Sequence, residues 1–99
     1  MNEQANKTPP ERESPLEASF TSLLLMLSST ALVHLGEAPD PLSGEKRQDL
    51  RQAKGAIDLL DLLKEKTRGN LTKEEEDLLD ELLYDLRMRY LRATGQVKL

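Results

Sequence analysis

His34 stands one helical turn before Glu37, an H-x-x-E spacing that offers two metal ligands on one helix face. Helical di-iron sites draw several glutamates and E-x-x-H pairs from facing helices, and this chain contains no such pair. His34 therefore reads as a helix-terminal histidine beside the last carbonyls. Asp58 and Asp61 are one turn apart, as are Asp77 and Asp80, and paired carboxylates perform acid-base or metal chemistry. Neither pair has a third ligand or a glycine-rich cleft nearby, so both read as solvated charged faces. The turn KTRGN offers Lys66, Arg68, Gly69 and Asn70 just before a helix start, a geometry that can hold an anion. Glu74, Glu75 and Glu76 follow at once and would repel one, so the preferred reading is a left-handed, helix-ending Gly69. Arg87, Arg89, Tyr90 and Arg92 form a basic patch that suits nucleic acid only thinly and that helix-dipole complementation explains. No nucleophile, base and orienting group converge, so the chain reads as a non-enzyme with no cofactor and no metal.

The elements that carry these residues follow from periodicity and caps. All-α architecture is predicted: three helices over about 15–35, 50–67 and 73–93, with the second and third as an antiparallel hairpin. For the first helix, Ser14, Pro15 and Glu17 give an N-cap, a first-turn proline and a capping-box partner. Gly36, Pro39 and Pro41 end it, and the polar loop to Gln48 is long enough to cross a bundle end or reach a neighbour. The second helix starts at Asp49 with Gln52 as partner, and its core side holds Leu50, Ala53, Ala56, Ile57, Leu59, Leu60 and Leu63, with Leu62 the apolar exception. The third starts at Thr72 with Glu75 in T-x-x-E, and buries Leu78, Leu79, Leu82, Leu83, Leu86 and Tyr90. Residues 1–13 read as a disordered tail, 14–93 as a single helical domain and 94–99 as a flexible C-terminus.

The first helix is unlike the others because the run from Ala18 to Leu35 is uncharged. Leu16, Phe20, Leu23, Leu24, Leu27, Ala31 and Leu35 make a face for the hairpin. The opposite side is also apolar: Ala18, Leu25 and Leu32 recur at heptad spacing beside Met26 and Val33, with the small residues Thr21, Ser22, Ser28 and Ser29 between them. Burying Leu25, Met26, Leu32 and Val33 is worth roughly 6–12 kcal/mol on transfer estimates, enough to offset an association cost of similar size. Tyr84, Met88 and Leu91 form a secondary apolar line on the third helix. Together these residues are the expected interface of a homo-oligomer, or of an unidentified protein partner. The alternative is a peripheral membrane or apolar-ligand contact. A span is disfavoured, since the run reaches only roughly 27 Å and is flanked by Glu17 and Glu37.

Composition narrows the class. Ninety-nine residues with a net charge of −4 and 32% charged side chains give no electrostatic reason to bind DNA or an anionic membrane. Cysteine is absent, which removes disulfides and thiolate chemistry, and three aromatics leave a small aliphatic core. With no export signal, a cytoplasmic location is expected.

At FTSLLLMLSSTALVHLGE and IDLLDLLKEKTRGNLTKEEEDLLDELLYDLRMRY, from about Phe20 to Tyr90, the chain resembles a family of short bacterial proteins catalogued as a domain of unknown function, the 1844 series. The resemblance implies a small helical protein and brings no activity or catalytic residue to carry over.

Overall fold

The computed structural model describes residues 17–96. Three helices follow in order: α1 (Phe20–His34), α2 (Leu50–Lys66) and α3 (Lys73–Ala93). The proposed cap at Ser14 and Pro15, the core position of Leu16, the tail 1–13 and residues 97–99 lie outside the described residues.

Helix α1 begins later than its sequence suggests. Glu17 and Ala18 are outside it, and Ser19 is the N-cap, in extended conformation, accepting from the backbone N–H of Ser22. Ser19 caps the helix because its hydroxyl satisfies one of the helix's free amides directly, 3.0 Å from the Ser22 nitrogen. At the other end, Gly36 adopts φ +81°. Its N–H donates to Val33 while that of Glu37 donates to Leu32, each at 3.0 Å, which makes a Schellman close. Gly95 ends α3 the same way, with Gly95 and Gln96 donating to Arg92 and Leu91. Helix α2 is capped by Asp49, which accepts from Gln52, and α3 by a complete capping box between Thr72 and Glu75.

The loop after α1 does not cross the bundle end. A bridge pairs Leu35 with Gln48, and the Asp49 N–H donates to the His34 carbonyl at 2.7 Å, so both ends of the loop meet. Inside it, Asp40 accepts from Leu42 through its side chain and from Gly44 through its carbonyl, giving a self-contained Ω-type excursion. Pinning the end of α1 to the start of α2 makes those helices antiparallel. Helices α2 and α3 are antiparallel as well: Asp61 pairs with Arg87 and Lys64 with Asp80, both at 2.8 Å, so positions ascend on one helix as they descend on the other. Half-exposed pairs of this kind add little stability but fix register.

The core is aliphatic. Leu24, Leu60, Leu79, Leu83 and Leu86 are fully buried, with Ala31, Leu35, Ala53, Ala56 and Ile57 around them. Three expectations are corrected here. Leu23 and Leu59, assigned to the core, are 40% and 49% exposed, because each sits on the flank of its helix rather than on the stripe. Ser28, assigned to the outer side, is instead buried in line with Leu24, Ala31 and Leu35. Small residues on both helices, Ser28 and Ala31 on α1 and Ala53 and Ala56 on α2, leave room for the axes to come close.

Among the described residues the Ser28 hydroxyl has no hydrogen-bond partner. A buried unpaired hydroxyl costs about 1–3 kcal/mol, and alanine is the better helix former. Ser28→Ala is therefore expected to stabilise the protein by about 1 kcal/mol and raise Tm by roughly 4–8 °C. A lower Tm in thermal denaturation would mean the hydroxyl is satisfied in solution.

Candidate functional site

Every carboxylate singled out for chemistry has a cation beside it. Asp58 accepts from Lys54 at 2.9 Å and Asp77 from Lys73 at 2.6 Å, while Asp61 and Asp80 hold the α2–α3 register. The hydrogen bond to Asp58 raises the Lys54 pKa above the ordinary lysine value, and that to Asp77 does the same for Lys73. Glu37 does not turn toward His34. It accepts from Arg89, which also bonds Asp85 at 2.7 Å; the Asp85 bond first, then Glu37, raises the guanidinium pKa. This link ties the loop after α1 to α3. Among the described residues no three of His, Cys, Asp and Glu come together as metal ligands.

The anion candidate is likewise occupied by local structure. Gly69 is left-handed at φ +83°, and Asn70 donates to the Thr67 carbonyl at 2.8 Å, closing the turn. Arg68 reaches back to Glu65 at 2.6 Å, and the Thr72–Glu75 capping box takes free donors at the start of α3. Lys66 is exposed at the end of α2.

The apolar candidates divide. On the outer side of α1, Ser22, Leu25, Met26 and Ser29 line one open groove with Thr30. Leu25 and Met26 are 49% and 53% exposed. The helix's C-terminal half is different: Leu32 packs against the core, and Val33 lies in a groove shared with Asp40 and Pro41 of the loop. Ala18 is exposed but off the helix. On α3, Tyr84 is well exposed, while Met88 and Leu91 are half-buried. Leu91 lines a groove of about 260 Å³ between α2 and α3 with Lys54, Ile57, Asp58, Arg87 and Tyr90. No α1 residue lines it, so the groove at Leu91 is distinct from the one on α1.

Sequence reasoning missed part of the exposed apolar surface. Leu59 and Leu62 stand half out of α2. With Leu23, Leu25 and Met26 they account for five of the seven large exposed apolar side chains. Since α1 and α2 are antiparallel, the first half of α1 and the second half of α2 share one end of the bundle, the end at which α2 turns into α3. Leucines on more than one side of α2, in IDLLDLL, were the available signal.

No described helix is long and apolar enough to cross a membrane. The fold and its surface thus define a small three-helix, all-α protein with exposed apolar side chains gathered toward one end. The chain belongs to the family described as Domain of unknown function (DUF1844), which it matches over residues 17–92, a span that takes in α1, α2 and nearly all of α3. No curated protein and no solved structure matches it.

Proposed function

We propose that this protein is a non-catalytic interaction module that self-associates through the exposed apolar part of α1. The observation that carries the reading is the concentration of exposed apolar side chains at one end of the bundle, with Leu25 and Met26 half out of a helix that bears no charge from Phe20 to Val33. A second copy suits that surface. In a chain of net charge −4, an uncharged face is where two copies approach without acidic repulsion, and Ser22 and Ser29 keep the approach close. Lipid suits it less, because Glu17 and Glu37 flank α1 and no basic residue accompanies Leu25 and Met26.

Light-scattering chromatography at tens of micromolar tests the reading. The expected result is a mass above that of the monomer, and a monodisperse monomer overturns it. Changing Leu25 and Met26 together to Glu is expected to shift the mass toward monomer while circular dichroism stays helical, since both side chains are already half in water. Flotation of the wild type with liposomes, without self-association, would favour the peripheral membrane alternative.

A further inference from the structure

Gly55 sits in the interior of α2, exposed, with helical rather than left-handed backbone. Glycine weakens a helix at such a position, and the usual reasons for keeping one are a turn or a close backbone approach. Neither exists among the described residues: a side-chain carbon built at Gly55 would meet nothing of them within 4 Å. The residues sharing its side of the helix are Gln52, Leu59, Leu62 and Lys66. Their alternating spacing of three and four is that of a helix-pairing seam, all five are exposed, and none is acidic, with Asp58 and Glu65 bordering the line on one flank and Asp61 farther round the helix.

We infer that α2 pairs antiparallel with α2 of a second copy, about a two-fold axis near Leu59, with Gly55 of each chain receiving Leu62 of the other. This rests on the self-association proposed above and adds a specific seam to it. An antiparallel arrangement centred on Leu59 brings Leu59 against its own copy, sets the gap at Gly55 opposite the protruding Leu62, and places Gln52 against Lys66. The flanking charges agree with that direction. Arg51 at one end of α2 comes opposite Glu65 of the other copy, so attraction is repeated on both sides of the axis. Asp58 meets its own copy near the axis, and Lys54, 2.9 Å away, balances it. A parallel pairing would oppose Arg51 to Arg51 and Glu65 to Glu65.

Three variants of the full chain test the seam, each measured by light-scattering chromatography and thermal denaturation. Leu59→Glu with Leu62→Glu is expected to yield monomer with helical content unchanged. Gly55→Ala is expected to act in opposite directions, raising Tm under dilute, monomeric conditions while weakening association at least tenfold. A purely local role would raise Tm and leave association untouched. In the cysteine-free chain, Leu59→Cys is expected to give a covalent dimer with a short bis-maleimide crosslinker, which adds one thiol across each of its double bonds, and Leu42→Cys, at the loop tip, is not. A monomeric wild type overturns both the seam and self-association. A wild-type oligomer that survives Leu59→Glu with Leu62→Glu but not Leu25→Glu with Met26→Glu overturns the seam alone.

Discussion

Leu24→Ala is expected to destabilise the protein by about 2–5 kcal/mol, the range for emptying a leucine site in a packed core. Leu24 is the only large side chain within α1 that is fully buried; its companions on the stripe are Ser28 and Ala31, and Leu35 lies at the C-cap. The helix is short at 15 residues and therefore draws its stability from packing more than from propensity. Removing Leu24 takes away its main anchor against α2 and α3. Each 1 kcal/mol is worth roughly 4–8 °C in a domain of this size, so Tm should fall by roughly 10 °C or more. Urea titration followed by circular dichroism reads the loss. A change below about 1 kcal/mol would mean that α1 is held mainly by other contacts.

Gly36→Val is expected to cost about 2 kcal/mol or more, through two effects that act on the same atom. At φ +81° any L side chain is strained, and a branched one most of all. The added carbon would also stand 3.4 Å from the Gln48 Cβ, already in contact with the neighbour across the Leu35–Gln48 bridge, so valine's two further methyls have little room there. Gly44→Val separates these effects, since Gly44 shares the positive φ, +74°, but has nothing within 4 Å. The Gly36 variant should lose more stability than the Gly44 variant in denaturant titrations. Equal losses would show that the bridge adds nothing beyond backbone strain.

How much of this was legible in the sequence depends on which forces were local. The caps of α2 and α3 were readable because Asp49, Thr72 and Glu75 act within one turn, and the helix ends because Gly36 and Gly69 have a steric reason to be glycine. The start of α1 lies later than the expected position near residue 15, because its N-cap, Ser19, hides inside an uncharged run where no charge or proline marks it. Burial on α1 was the hardest part. With apolar residues on every side, periodicity could not choose between Leu23 and Leu24, or set Ser28 inside and Leu25 outside; only the position of the partner helices does that. The same degeneracy explains the candidate interface. Leu25, Met26, Ser22 and Ser29 do share an open groove, whereas Leu32 and Val33 are met by the core and by the loop, contacts that depend on distant chain. Glu37 with Arg89, and Asp61 with Arg87, join residues far apart in sequence, and nothing in local composition announces such links.

The closed loop after α1 has a practical consequence. Its ends are held together by Leu35, Gln48, His34 and Asp49, so the helices are joined by those contacts whatever the length of chain between them. Lengthening a closed excursion costs little entropy, since each doubling of a flexible loop adds only about 0.6 kcal/mol. Leu42, 96% exposed at the tip, therefore marks a handle: a place to insert a tag or a short binding peptide without altering the bundle. That handle lies at the opposite end from the apolar leucines, so a probe carried there would report on what gathers at the other end without standing in its way.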